Sequence, residues 1–163
     1  MLGTCRNCRK EKSLRRSHAI PNGFFKPLAR GSRGQFIEIT DGPSDARTSQ
    51  DSGREFLLCD TCERIFDEQF DRPIIDEVRR IRVALTKGVN QIESDVERIK
   101  SGVASIIWRA SESEARIYES YKLSQRIRNE LFEEMWNNNS LGRLFSYGIQ
   151  PIFDAKDNDG RIY

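Results

Sequence analysis

Cys5-Arg6-Asn7-Cys8 and Cys59-Asp60-Thr61-Cys62 hold every cysteine of the 163-residue chain. Two C-x-x-C pairs across a long gap are the sequence form of a tetrahedral four-cysteine zinc site. Each pair folds into a tight knuckle that aims two thiolates at one ion. Such a set is closed and leaves no coordination position for water, so the Zn2+ expected here is structural. A redox reading of C-x-x-C lacks the surrounding βαβ pattern and leaves the second pair unexplained. The N-terminus, Met1-Leu2-Gly3-Thr4, has no apolar h-region, and no apolar run approaches membrane-spanning length. A cytoplasmic chain with reduced, metal-holding thiols is the expectation.

Outward from the knuckles, the gap contains the only histidine, His18, behind a short basic strand. Pro21 and Asn22-Gly23 signal a turn after it. Gln35-Phe36-Ile37-Glu38-Ile39-Thr40 alternates apolar and polar side chains and predicts a strand. Residues 41–54 offer almost nothing to bury and read as a mobile loop. Glu55-Phe56-Leu57-Leu58 predicts a strand entering the second knuckle, followed by a helix with Phe66 and Phe70 on one face. Large apolar side chains are sparse over residues 1–72, so folding there should need the metal. Structural zinc contributes on the order of 10–16 kcal/mol of apparent binding energy in small peptides.

Pro73 suits a helix first turn and marks the expected boundary. Ile74, Val78, Ile81, Leu85, Val89, Ile92, Val96 and Ile99 recur at spacings of three and four, an amphipathic seam. Gly88 weakens its middle. Ser94-Asp95-Val96-Glu97 fits a capping box, so the segment is either one helix or two. Gly102 is expected to end it. A second helical region runs from Val103 to Asn137-Asn138-Asn139, with another capping-box match at Ser111–Glu114. The expected arrangement is a helical hairpin over residues 73–140. Its apolar seam needs a cover: the other helix, the zinc module, a second copy or a protein partner. Residues 141–163 read as strand–turn–strand and as the start of a longer region.

Residues 1–34 carry nine basic side chains against one acidic, while the rest of the chain holds an acidic excess. A basic head on a mildly acidic body suits contact with phosphate. Arg15, Arg16, Lys26 and Arg54 are the candidate nucleic-acid contacts, with DNA the expected nucleic acid.

The order of these features is the first knuckle, a basic stretch, Ser17-His18-Ala19-Ile20-Pro21, a variable insert, Leu57-Leu58-Cys59, Cys62 and Glu63. It resembles the zinc-bearing HNH endonuclease-like proteins of the treble-clef, ββα-metal type, over about residues 3–70. That resemblance implies an α+β fold with a small treble-clef module pinned by Cys5, Cys8, Cys59 and Cys62. It also implies that His18, at the end of the first strand, is the general base that activates water. Histidine suits that task because its ordinary pKa lies near neutrality. The chain departs from the family at three places. Ser17 stands where an acidic or histidine ligand often precedes the base. Arg54 stands near the usual asparagine, and Glu63 where a last histidine follows the second knuckle. Glu63 has oxygen for Mg2+ or Mn2+, with Asp67 and Glu68 one turn on. Ser105-Ile106-Ile107-Trp108-Arg109-Ala110-Ser111 looks like a segment of uncharacterised bacterial HNH-like proteins. Trp108 itself reads as core, and Arg109 as either a phosphate contact or the partner of a glutamate. The resemblance further implies a role in bacterial defence or mobile-element biology.

Two functional readings follow. One is a metal-dependent nucleic-acid endonuclease with His18 as base and Glu63 as ligand. The other is an inactive zinc-dependent nucleic-acid-binding or protein-assembly module.

Overall fold

The first knuckle closes through its own backbone. Cys5 N–H donates to the Lys10 carbonyl (3.0 Å) and Arg9 N–H to the Cys5 carbonyl (2.9 Å). Arg9 takes a left-handed φ of 57° to make the turn. The computed structural model describes residues 1–31, 36–38, 47–49, 53–89 and 91–136.

The strands are β1 (Leu2–Thr4), β2 (Glu11–His18), β3 (Phe36–Glu38), β4 (Arg47–Ser49) and β5 (Arg54–Cys59). β1, β2 and β5 form one antiparallel sheet in that order, and β3 pairs β4 separately. Arg47–Ser49 is therefore strand, a correction to the loop expected over residues 41–54. β5 bulges at Leu57, because Arg15 faces Leu58 while Arg16 faces Phe56. The Leu57 carbonyl accepts the Arg6 N–H at 3.0 Å, which docks the first knuckle onto β5. The bulge sets the inward side chains of β2 at Leu14 and Ser17.

Most of the remaining chain is helical: α1 (Asn22–Gly31), α2 (Asp60–Phe66), α3 (Arg72–Thr86), α4 (Val96–Glu112) and α5 (Gln125–Trp136). α2 runs through a π-helical turn, Asp67–Asp71, straight into α3, so the expected boundary at 72/73 falls inside a continuous helical run. Arg116–Tyr121 is a short 3₁₀ helix. No described helix is long and apolar enough to cross a membrane.

The periodic seam of residues 74–99 belongs to two helices. α3 stops at Gly88, which has φ 74°. Asp95 caps α4 by accepting the Arg98 N–H at 3.1 Å, one residue from the predicted cap. Gly102 does not end a helix. It is buried inside α4 where that helix crosses α3, and a Cβ there would lie 2.5 Å from Ile74 Cβ. Ser111–Glu114 is likewise a helix end, not a start: Ser113 caps the C-terminus of α4. Of the seam, Ile74 and Ile99 are buried, whereas Val78, Val89 and Val96 stay exposed. The strand–turn–strand expected over residues 141–163 lies outside the described residues.

One core joins the knuckles to the helices. Cys5, Leu14, Leu57, Leu58, Cys59, Cys62, Phe66 and Phe70 pack with Ala104 and Trp108 of α4 and Leu131 and Met135 of α5. Trp108 stacks on Phe66 (centroids 5.6 Å apart, planes at 29°), so it is core as expected.

Candidate functional site

The β5 bulge and the Arg6–Leu57 bond bring the two knuckles together. All four Sγ atoms lie within 4.8 Å of one another, and Cys8 Sγ is 4.0 Å from Cys59 Sγ. Four sulfurs at about 2.3 Å around a tetrahedral ion stand about 3.8 Å apart, so the set suits one such ion. A disulfide needs about 2.05 Å, and all four thiols are free. Two hydrogen bonds steady the ligands: Asn7 Nδ2 donates to Cys62 Sγ (3.2 Å) and Cys59 N–H to Cys5 Sγ (3.3 Å). A backbone hydrogen bond at Lys10 lowers the Cys8 thiol to about 7, and burial pushes Cys62 up to about 12. Four thiolates this close repel one another, and a cation among them offsets that charge.

Beside the cluster a cleft of ≈ 600 Å³ opens between β2, α1, α2 and α3. His18 and Glu63 both line it, with Asp67 and Asp71 from the π-helical turn. Its walls also carry Arg15, Lys26, Arg64, Arg72 and Arg79 with Asp60 and Asp76, and Arg15, Arg72 and Arg79 pair with Asp60, Asp67 and Asp76, so the lining is mixed in charge. Of the predicted contacts, Arg15 and Lys26 reach this cleft. Arg16 and Arg54 are exposed and do not line it, and Glu68 faces a separate groove with Phe70 and Trp136.

His18 is the last residue of β2 and lies opposite Arg54 in the β2–β5 register. Arg54 Nε–H donates to His18 Nε2 at 3.0 Å. The imidazole pKa falls to about 4, first because the ring is partly buried, then because Arg54, Arg109 and Arg16 surround it with positive charge. At neutral pH the ring is uncharged. Ser17, the residue before it, points the other way and donates to Glu63 Oε2 at 2.5 Å. Burial raises the Glu63 carboxyl above its ordinary range, opposed by the Ser17 hydroxyl and Arg109. Ser17 thus orients the Glu63 carboxylate from the neighbouring position on β2.

Among the described residues Arg109 pairs with an aspartate and not with a glutamate, and it is buried, 1% exposed. Its guanidinium meets both Asp71 oxygens, at 3.0 and 2.5 Å, and the His18 carbonyl at 3.1 Å. The Arg109–Asp71 pair escaped the sequence reading because nothing in local periodicity links positions 38 residues apart. Neighbouring Ser113, with Glu114 and Ala115 N–H at 2.8 and 3.2 Å, donates to Glu55 on β5.

No family model, curated protein or solved structure matches the chain.

Proposed function

We propose that the protein is an HNH-like, zinc-stapled endonuclease that hydrolyses nucleic-acid phosphodiesters in the cleft between β2, α1 and α2. The observation that carries this reading is the convergence of His18, Glu63, Asp67 and several arginines on one cleft of mixed charge beside the cysteine cluster. The order β2–β5–α2, with a knuckle before β2 and another leading into α2, also fits a treble-clef, ββα-metal module.

Zn2+ on Cys5, Cys8, Cys59 and Cys62 is a staple without chemistry of its own. His18 is neutral at pH 7 and takes a proton from water at Nε2, but its pKa of about 4 lies below the near-neutral value expected of the base and makes it a weaker one. Arg15, Lys26 and Arg72 hold the phosphate backbone across the cleft. Glu63 would hold a divalent ion, Mg2+ or Mn2+, together with Asp67 once Asp67 is released from its ion pair with Arg72 (2.5 Å), and the ion would neutralise charge on the phosphoryl and leaving oxygens. DNA is the expected substrate.

A second reading, binding without cleavage, is favoured by one observation: the Nε2 lone pair of His18 is occupied by Arg54. A nicking assay on supercoiled DNA with Mg2+ or Mn2+ separates the two, comparing wild type, His18→Ala and Glu63→Gln. Each protein must first show one zinc per chain, a content that Cys59→Ser loses. Cleavage by wild type and loss of at least about a hundredfold in both variants, with DNA binding kept, supports the nuclease. Binding without cleavage at full zinc supports the silent module.

A further inference from the structure

His18 and Arg54 face one another across the β2–β5 pair, and their contact fixes which nitrogen of the ring carries the proton. Arg54 is a donor only, so Nε2 accepts from it at 3.0 Å and a neutral ring holds its hydrogen on Nδ1. In that tautomer the nitrogen able to take a proton is the one already covered. The cap is built to move at its tip alone. Arg54 backbone is paired with His18, and Gly53 before it is seated so closely that a Cβ would meet Ile117 Cδ1 at 2.4 Å. The side chain itself is exposed. A guanidinium prefers the oxygens of a phosphate, which it grips in bidentate fashion, to a single imidazole nitrogen.

We propose that Arg54 is a substrate-displaced cap: a bound phosphodiester draws its guanidinium off His18 Nε2, and only then can the ring accept a proton from water. The inference rests on the nuclease reading. It makes Arg54 a positioning residue that ties the base to the presence of substrate, so that water is not activated in an empty cleft. Among the described residues, Arg16 on β2 and Arg109 on α4 also act on the ring; Glu63 and Asp71 share its cleft. Arg109 grips the backbone carbonyl of His18, so it stays put while Arg54 leaves.

Because His18 is the only histidine, one labelled imidazole reports the whole event. The zinc-loaded full chain carrying 15N-histidine is titrated at pH 8, without divalent ion, with a phosphorothioate DNA duplex. Binding is followed in parallel by fluorescence anisotropy. The expected result is a protonated Nδ1 in the free protein and an Nε2 resonance that moves, on saturation, to the position it holds in free Arg54→Ala. In that variant the duplex moves Nε2 no further, and the ring titrates about one pH unit higher than in free wild type. Three results overturn the cap: no binding, an Nε2 resonance unchanged at saturation, or Arg54→Ala indistinguishable from wild type at full zinc content. A ring that responds in a protein that never nicks DNA keeps the cap and removes the nuclease reading. Nicking with an unresponsive ring does the reverse.

Discussion

Replacing Arg109 by methionine tests how the helical layer holds the cleft. The guanidinium is almost fully buried, spans both oxygens of Asp71, and donates to the His18 carbonyl. It also lies over the Phe66 ring, 5.5 Å from the centroid. Methionine keeps much of the stem and its contact with that ring but removes every donor. Asp71, 15% exposed, then keeps a carboxylate with its counter-charge gone, and the His18 carbonyl loses a donor. Removing one partner of a buried pair costs about 3–5 kcal/mol. For a chain of this size that lowers Tm by about 6–20 °C. Adding Asp71→Asn removes the stranded charge, so the double variant should recover about 2–3 kcal/mol relative to the sum of the two singles. Urea unfolding at pH 7 with zinc bound gives all four corners of the cycle. A loss below about 1 kcal/mol for Arg109→Met, the value of a surface pair, would refute the reasoning. So would simple additivity of the two changes.

Two further outcomes are expected. Gly102→Ala gains about 1 kcal/mol of helix propensity, yet its Cβ would sit 2.5 Å from Ile74 Cβ. Overpacking costs about 1–3 kcal/mol, so the urea midpoint should fall, whereas Gly88→Asn, at an open left-handed position, should be nearly neutral. Stability should also rise with pH between about 4, the folded pKa of His18, and about 6.5, its unfolded value. In that window the unfolded chain binds the extra proton; above it His18 contributes no slope. Full burial would make this about 3 kcal/mol, and solvent at the half-buried ring reduces it to about 1–2 kcal/mol. Acid release of metal from the thiols is common to wild type and His18→Gln, so the difference between their pH profiles isolates the ring. Identical profiles would show that the ring is not held neutral.

Features written in short spacings were legible in the sequence. The two C-x-x-C pairs, the strand at residues 36–38, the strand into Cys59 and the i, i+4 pair Phe66 and Phe70 all stand where they were expected. Gly102 was misread because a glycine in a helical pattern signals either a stop or a close crossing. Only the position of α3, with Ile74 against it, distinguishes them. Ser111–Glu114 was misread for a related reason. The Ser-x-x-Glu pattern marks a start only if the backbone before it is non-helical, and here α4 runs through Ser111 and Glu112. In the cleft, His18 and Glu63 were visible as residue types. Their partners, Arg54 and Ser17, were visible only as departures from a pattern, and it is register that turns them into contacts.

Two adjacent residues of α4 show why the helical region is part of the site. Trp108 covers Phe66 and so completes the core that seats the second knuckle. Arg109, rotated about 100° further around the same helix, reaches the other side of α2 to hold Asp71 and the end of β2. The first contact fixes where α2 lies; the second fixes where His18 lies relative to it. The four-cysteine cluster alone sets only the roots of β2 and β5, and His18 is ten residues from the nearest cysteine before it. A chain cut before α4 would keep all four cysteines but leave Phe66 uncovered and Asp71 without Arg109. The geometry of the cleft is therefore set jointly by the four-cysteine cluster at one end of the sheet and a buried arginine at the other.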